Sequence, residues 1–168
     1  MKLKELIKNV ENVELTPEQE KQIKDYLGIK ESKRWKPNEG DYYFYIMGDG
    51  DIAGGSWNKY CGVDADHFAM NNCFKKEEEA EFALEKYKVY LELKNFADEN
   101  NGGPIEWYNS NVENYYIYLG HDDNTLCVGD CYICQDIGQI YFSSEELAKQ
   151  AIKTVGEDRI KKYLFGVE

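Results

Sequence analysis

Two segments of the chain carry the same pattern of residues, and this internal repeat constrains the fold more than any single motif. In each copy a tryptophan precedes an aromatic, strand-like run by seven or eight positions: Trp35 precedes Tyr42–Ile46, and Trp107 precedes Tyr115–Leu119. A phenylalanine and a pair of alanines follow at matching offsets around a helix start (Phe74, Ala80 and Ala83; Phe142, Ala148 and Ala151). A repeated strand-rich unit that ends in a helix predicts a two-lobed α+β architecture.

The predicted fold is α+β, with two β-rich repeats of antiparallel strands followed by a helix, and with an N-terminal helical pair. We expect the helical segment at 1–30, the first β-β-β-α repeat at 33–100 and the second at 105–168. Asparagine, glycine and proline at 100–104 form the clearest linker. A length of 168 residues fits one compact domain in which the two lobes share a core.

Four helical signals stand out. Apolar residues at helical spacing predict a first helix over 3–10, and a threonine–proline cap at 16–17 predicts a second. The longest predicted helix, 76–100, is apolar on two faces, which suits a central element covered on both sides or the seam of a homodimer. A serine at 143–144 caps the last long helix.

Strand signals fill the regions between these helices. Turn residues at 48–51 predict a hairpin between strands at 42–47 and 52–57. Residues 58–66 are typical of a loop, and 67–74 are predicted as a third strand. The second repeat is expected to contain three strands as well (115–119, 125–134 and 139–142).

The charge balance restricts the partners of the protein. The chain has 32 acidic and 20 basic residues, a formal net charge of −12. Such a surface repels nucleic acid and anionic membranes, so we expect neither as a direct partner and favour a basic protein instead. The acidic residues serve solubility alone, or they form a face that mimics a nucleic-acid backbone.

The N-terminus is charged at helical spacing and lacks the apolar core of a signal peptide, and no apolar run is long enough to span a membrane. The five cysteines are therefore expected as reduced thiols. These observations predict a cytoplasmic protein.

Cysteine and histidine patterns give little support to an enzyme. Cys131 and Cys134 form a CxxC, but it lies in an alternating strand pattern without a second CxxC, which disfavours a zinc site. The two histidines, His67 and His121, lie outside known catalytic motifs. We therefore expect no catalytic residue, no metal ligand and no cofactor, with a cysteine- or metal-dependent enzyme as the remote alternative.

Acidic turn residues are the leading candidates for a contact surface. One pair occupies the first hairpin turn and another occupies the corresponding turn of the second repeat, and further candidates lie in the unmatched segment 52–73. The predicted partner-binding residues are Asp49, Asp51, Trp57, Asp64, Asp66, Asp122 and Asp123. None of these acids follows the calcium-loop pattern.

The chain contains 14 tyrosines, a residue that provides large contact area with little loss of entropy. Alternation in the two aromatic runs places about half of their rings on each sheet face. One face is expected to be core, and the other is covered by helices or forms a contact surface. Aromatic sheet faces also bind single-stranded nucleic acid, but that mode needs a basic groove.

The segments 33–46 and 72–80, with 138–146 and 161–166, resemble small accessory proteins of phages and prophages of low-GC Gram-positive bacteria. The similarity spans roughly 33 to 166 and consists of strand aromatics and a helix cap. It implies no catalytic residue. Small acidic phage proteins with a known activity are often inhibitors of bacterial defence systems, including anti-CRISPR proteins.

The sequence therefore predicts a non-enzymatic, anti-CRISPR-like phage inhibitor that binds a host defence protein through an acidic, nucleic-acid-mimicking surface. The alternative is a protein that binds or sequesters a nucleotide signal in a pocket between the repeats. The candidate phosphate-binding residues for that alternative are Lys33, Arg34, Lys36, Arg159, Lys161 and Lys162.

Overall fold

A computed structural model describes residues 16–26 and 34–167. The chain divides into two compact units, Met1–Lys36 and Pro37–Glu168. The first unit contains helix α1 (Pro17–Tyr26). Its start is a capping box, because the Thr16 amide donates to Gln19 Oε1 at 3.0 Å and the Gln19 amide donates to Thr16 Oγ1 at 3.3 Å. This confirms the predicted cap; the helix predicted over 3–10 lies outside the described residues.

The second unit holds all of the described strands and the remaining described helices. In chain order they are β1 (Tyr42–Ile46), β2 (Ile52–Ser56), α2 (Gly62–Ala69), α3 (Glu77–Asn100), β3 (Asn114–Gly120), β4 (Thr125–Cys131), β5 (Tyr141–Phe142), α4 (Glu145–Val155), α5 (Glu157–Ile160) and a π-helical turn (Lys161–Phe165). The fold is mixed α+β with two small antiparallel sheets.

The first sheet is the predicted hairpin of β1 and β2, with Tyr42 opposite Ser56 and Ile46 opposite Ile52. On the other side of β1, Phe44 forms an isolated antiparallel bridge with Phe74. Asn72 strengthens this edge, since its side chain accepts from the Ile46 amide and donates to the Ile46 carbonyl, both at 2.8 Å. Strand β1 is therefore hydrogen-bonded along both edges, to β2 on one side and to Phe74 on the other.

The segment between this hairpin and the long helix differs from the prediction. Residues 62–69 form helix α2 rather than the end of a loop and the start of a third strand, and only Phe74 joins the sheet. Tertiary hydrogen bonds explain the difference, because Asp64 and His67, one helical turn apart, both meet the Tyr43 hydroxyl. Local propensity alone contains no such signal.

The second sheet has the strand order β4-β3-β5. Ile117 is paired with Val128, and Tyr116 lies between Gly129 on β4 and Tyr141 on β5. Strand β4 ends at Cys131 rather than at residue 134, and β5 contains two residues rather than the four predicted. Both strands are therefore shorter than predicted, and the residues that they lack belong to the loop between β4 and β5.

The core lies between the inner face of this second sheet and helices α3 and α4. Val89 and Leu93 from α3 pack with Ile117, Phe142 and the alanines of α4. Ser144 caps α4 as predicted, since its hydroxyl accepts from the Leu147 amide at 3.2 Å. Burial of this apolar surface is the main stabilising contribution to the unit.

One ion-pair cluster ties the C-terminal segment to α3. Arg159 donates through Nη1 to Glu92 Oε2 at 2.8 Å and through Nη2 to Glu92 Oε1 at 3.0 Å, which is a bidentate pair. The same side chain also reaches Glu85 and the Val155 carbonyl. The hydrogen bond from Arg159 holds the pKa of Glu92 below its usual value.

Apart from residues 33–36, the predicted repeats at 33–100 and 105–168 fall within one compact unit, Pro37–Glu168. Each half has a hairpin followed by a shorter strand or bridge on the opposite side of its first strand. The pairing differs, however, since Phe74 is opposite Phe44 whereas Phe142 is opposite Tyr115. Trp35, which was predicted to begin the first repeat, is assigned to the first unit, Met1–Lys36.

Candidate functional site

The seven predicted contact residues are distributed over three places, and the structure removes one of them from the surface. Trp57 is only 5% exposed. Its ring packs edge-on against Tyr43 at 5.7 Å and against Phe68 at 6.2 Å between centroids. Trp57 is therefore a core residue of the first half, and the prediction that it contacts a partner is corrected. The alternation of side chains along the hairpin does not indicate which of its two faces packs against helix α2.

Asp64 belongs to a polar network behind the first sheet. The Tyr43 hydroxyl donates to Asp64 Oδ1 at 2.8 Å, and Asp64 Oδ2 accepts from the Asn58 amide at 2.7 Å. The same hydroxyl lies 2.9 Å from His67 Nδ1. Because the one phenolic hydrogen is directed at Asp64, His67 must donate from Nδ1. Tyr45 stacks on the histidine ring at 4.2 Å.

The geometry of this hydrogen-bond network indicates a structural role, which is to attach α2 to β1. Tyr43 is buried, and burial together with the hydrogen bond to Asp64 raises the pKa of its hydroxyl above the usual value. Asp64 therefore holds α2 against β1. Asp66, two residues further along α2, is exposed. The i, i+3 spacing of Asp64 and His67 is the sequence signal that could have revealed this network.

The turn acids Asp49 and Asp123 share one local role. Asp49 Oδ1 accepts from the amide of Asp51 at 3.1 Å, and Asp123 Oδ1 accepts from the amide of Thr125 at 3.1 Å. Both are Asx turns, in which a carboxylate satisfies the amide two residues later. In each turn the intervening residue is left-handed: Gly50 has φ 88° and Asn124 has φ 55°. These hydrogen bonds match Asp49 with Asp123 and Asp51 with Thr125, whereas the sequence comparison matched the pair Asp49 and Asp51 with the pair Asp122 and Asp123.

The outer face of the second sheet, opposite the core, carries a row of aromatic side chains. Ring centroids are separated by 6.0 Å between Tyr118 and Tyr116, 6.0 Å between Tyr116 and Tyr141, and 4.7 Å between Tyr141 and Trp107. Exposure decreases along the row, from Tyr118 at 42% to Tyr141 at 6%. We call these four residues the tyrosine row.

Gly129 forms the floor beneath this row. A Cβ atom at this position would lie 2.9 Å from Tyr116 Cζ and 3.2 Å from Tyr118 Cε1. Both rings therefore lean across the strand onto backbone, a placement that only glycine permits. The same arrangement occurs once in the first sheet, where the ring of Tyr42 lies over Gly54. There the row consists of Tyr42 and Phe44 alone, 5.4 Å apart.

A carboxylate stands at the β-turn end of the row. Asp123 Oδ1 lies 3.3 Å from the Cβ position of Gly120, and Cys127 Sγ lies 3.7 Å from the same point. Cys127 is directly opposite Tyr118 in the sheet. The Thr125 hydroxyl donates to Asp123 at 2.7 Å, and this hydrogen bond lowers the pKa of Asp123. Asp123 is thus ionised at neutral pH and lies on the same face as the tyrosine row.

One acidic residue, Asp136, lies at the other end of the row, whereas Glu113 lies beside Tyr115, whose ring packs against the core face of the sheet. The Asp136 amide donates to the Tyr141 hydroxyl at 2.7 Å, which places this acid beside the buried end of the row. Glu113 accepts hydrogen bonds from the hydroxyls of Tyr115 and Tyr132. Because of its bond to Glu113, Tyr115 has a pKa raised to about 12. Neutral, donating tyrosines and ionised acids therefore surround the sheet at neutral pH.

The net charge of the protein is concentrated in this region. Residues 95–148 include no lysine or arginine, whereas they include ten of the 32 acids of the chain. The other 114 residues hold the remaining 22 acids and all 20 basic residues. The ten acids are Asp98, Glu99, Glu106, Glu113, Asp122, Asp123, Asp130, Asp136, Glu145 and Glu146. We call 95–148 the acidic segment; it contains all three strands of the second sheet.

A polar cleft of about 420 Å³ adjoins the buried end of the tyrosine row. It is bounded by α3 and by the loop before β5, and its lining includes Trp107, Gln135 and Gln139. Lys94, the cation that lines it among the described residues, is paired with Asp98 at 2.5 Å. The cleft therefore suits a neutral polar ligand better than a phosphate.

The basic residues proposed for phosphate binding are occupied elsewhere or lie apart. Arg159 is paired with Glu92, and Lys161 with Glu157 at 2.5 Å. Lys162 lies 5.5 Å from the centroid of the Tyr163 ring. Lys33 lies outside the described residues, and Arg34 and Lys36 belong to the first unit. The described part of the chain contains no pocket lined by this set.

The cysteines do not converge on a metal site in the described residues. No group of three or more histidine, cysteine, aspartate or glutamate side chains among them is arranged to hold a metal ion. Cys131 ends β4, and its thiol donates to the carbonyl of Cys134 at 3.2 Å across a bend. Burial and the neighbouring Cys134 raise the pKa of the Cys131 thiol, which lowers its reactivity. Within 16–26 and 34–167 no helix is both long and apolar enough to cross a bilayer.

No protein-family model, curated protein or solved structure matches the chain. The site is therefore assessed from its geometry and charge.

Proposed function

We propose that this protein is a non-enzymatic, phage-type inhibitor that binds a positively charged protein of a bacterial defence system, in the manner of an anti-CRISPR protein. The acidic segment carries this proposal, because it holds ten acids and no lysine or arginine, and its sheet exposes Tyr118. Two of the ten acids, Asp98 and Glu145, pair with lysines from outside the segment. A nucleic-acid-binding effector offers the complementary basic surface. The proposal places the protein in the cytoplasm of the bacterial host.

The distribution of charge distinguishes this proposal from simple solubility. The acids themselves are spread evenly, with ten in the 54 residues of the acidic segment and 22 in the other 114 residues. The uneven feature is the absence of lysine and arginine from the acidic segment, which leaves its negative charge without cations of its own, whereas acidic and basic residues nearly balance elsewhere. A one-signed field on one sheet steers a basic partner and accelerates its association. The tyrosines then supply contact area at short range.

Affinity purification from a bacterial host tests the function. The protein, immobilised at low salt, is expected to capture a basic nucleic-acid-binding protein, and added DNA or RNA is expected to compete with it. Capture should weaken steeply as salt rises. Capture that is insensitive to both salt and nucleic acid would contradict the mimicry.

We also propose that the two halves of the second unit arose by an internal duplication. Its support is that both halves place a hairpin beside a third pairing segment, close the hairpin with an Asx turn and cover a glycine with a tyrosine. Ala80 and Ala148, matched in the repeat, are both fully buried. If it is correct, the first half retains the scaffold whereas the second half has acquired the charge.

The alternative function is binding of a small molecule, and the cleft beside Trp107 favours it. The Gln135 amide lines this cleft and offers a donor and an acceptor, whereas the Gln139 nitrogen already donates to the Ile117 and Ile140 carbonyls. Mass spectrometry of the denatured protein tests for a ligand that co-purifies. A bound neutral, planar molecule that is lost on a Trp107→Ala substitution would establish this alternative.

A further inference from the structure

We infer that the tyrosine row is a docking surface for arginine side chains presented by a basic segment of a partner protein. This inference rests on the proposed function and deepens it, because it assigns the contact to one face and to one kind of side chain. The occupant is a protein segment rich in arginine. Nucleic acid is disfavoured as an occupant by the charge of the acidic segment.

The rings offer the faces that a guanidinium requires. Tyr118 is 42% exposed and Tyr116 is half-buried beside it, and both lean over Gly129, so no β-carbon obstructs the strip between them. A flat cation that stacks on such rings gains cation–π attraction in addition to contact area. Tyr116 and Tyr118 lie on the face of the sheet opposite α3 and α4, whereas the buried end of the row, Tyr141 with Trp107, adjoins the cleft that α3 bounds.

The carboxylates at the two ends complete the match. Asp123 lies on the same face at the exposed end, where the Thr125 hydroxyl orients its carboxylate, and Asp136 lies at the other end beside Tyr141. An arginine on Tyr118 is able to pair with a carboxylate while its plane stays on the ring. The Thr125 amide and hydroxyl both donate to Oδ1 of Asp123, and Lys161 lies near enough to help lower the pKa of this carboxyl, so an arginine of the partner shares Asp123 with Lys161.

Arginine fits this face better than lysine does. Its guanidinium is planar and weakly hydrated, whereas the lysine ammonium keeps a strong hydration shell and has no face to stack. A purely electrostatic surface would not distinguish the two. Discrimination between arginine and lysine peptides of equal charge is therefore the signature of the tyrosine row.

The experiment measures binding of a nona-arginine and a nona-lysine peptide to the full chain by calorimetry at low salt. We expect nona-arginine to bind several-fold more tightly, and the double substitution Tyr116→Leu with Tyr118→Leu to weaken nona-arginine about three- to tenfold, as two exposed cation–π contacts imply. The matched control is Tyr42→Leu, since Tyr42 is an exposed ring over a glycine in the first sheet. Thermal unfolding of each variant verifies that it is folded; if the double variant is unfolded, Tyr118→Leu alone replaces it.

Two results would overturn the inference. If both peptides bind equally and the tyrosine variants change neither, docking is electrostatic only, and the proposed function survives without the tyrosine row. If Tyr118→Leu instead converts a dimer into a monomer by sedimentation and leaves peptide binding unchanged, the row is a seam between two copies of this chain. Failure of both peptides to bind would contradict the proposed function as well.

Discussion

The ring of Tyr116 lies so close across Gly129 that a β-carbon at residue 129 would stand 2.9 Å from its Cζ atom. The two residues are directly opposite each other in neighbouring strands. Glycine in a strand weakens the sheet, so its presence here is explained by the ring that it admits. The flat aromatic surface of the second sheet therefore depends on the absence of one side chain.

A Gly129→Ala substitution is expected to displace the Tyr116 ring while the fold is retained. The atoms that it meets are at the far end of a flexible side chain, so the stability change should stay within about 1 kcal/mol. Binding of nona-arginine should decrease. The control is Gly55→Ala, where nothing lies within 4 Å and stability should rise by about 0.4–1 kcal/mol. Unchanged peptide affinity and unchanged Tyr116 ring resonances by NMR would contradict this account.

Loss of the Tyr43 hydroxyl should destabilise the second unit. Tyr43→Phe leaves Asp64 Oδ1 and His67 Nδ1 without their partner, which costs about 1–3 kcal/mol in the free energy of unfolding. Urea denaturation at neutral pH measures it. Tyr42→Phe, on the exposed side of the same strand, is the control and should change stability little. Equal effects of the two substitutions would show that the network contributes nothing.

The Thr125→Val substitution should raise the pKa of Asp123 part of the way to its usual value. The hydroxyl bond is lost, while the backbone amide of residue 125 still donates. Because the pKa is depressed in the folded protein, the associated stability is present above the unfolded pKa and is lost as the pH falls through the folded pKa. The stability difference between wild type and variant should therefore vanish in acid. The measurement is an NMR titration of the Asp123 carboxyl carbon in wild type and variant. The same pKa of Asp123 in both proteins would refute the role of the Thr125 hydroxyl.

Arg159→Lys should weaken the attachment of the C-terminal segment to α3. A lysine cannot form the bidentate pair with Glu92, and since both groups are partly exposed we expect a loss of about 0.5–1 kcal/mol. The pKa of Glu92 is lowered in the folded state, so this deficit should be present at neutral pH and disappear as the pH falls through that pKa. A deficit that persists in acid would indicate lost packing instead. Chemical denaturation across pH measures it.

Local patterns predict much of the fold. The Gly-Asp turn predicts the hairpin of β1 and β2, and the long helix predicted over 76–100 is found at Glu77–Asn100. Helix α2 was not predicted, because the residue that its polar side chains contact, Tyr43, lies 21 residues from Asp64 along the chain. Burial of Trp57 has the same origin. The pattern of apolar residues within a single segment therefore predicts neither helix α2 nor the burial of Trp57.

The candidate site was partly visible in the sequence. Comparing the two repeats drew attention to the turn acids, of which Asp123 does lie on the aromatic face of the second sheet. A count of charge along the chain would have revealed the acidic segment directly. The tyrosine row was not foreseeable, since Trp107 and Tyr141 approach each other only through the pairing of β5 with β3.

The most direct test of the account removes three acids from the second sheet and three from elsewhere. The sheet variant carries Asp122→Asn, Asp123→Asn and Asp136→Asn; the control carries Asp51→Asn, Asp66→Asn and Glu81→Gln, all exposed and outside the acidic segment. Both variants lose the same charge. The affinity for nona-arginine is measured over a range of salt concentrations.

We expect the sheet variant to bind about fivefold more weakly, as three exposed ion pairs worth about 1 kcal/mol together imply, with a shallower dependence on salt. The control should bind as the wild type does. Equal weakening of both variants would contradict the account, because the net charge of the whole chain, rather than the second sheet, would then determine binding.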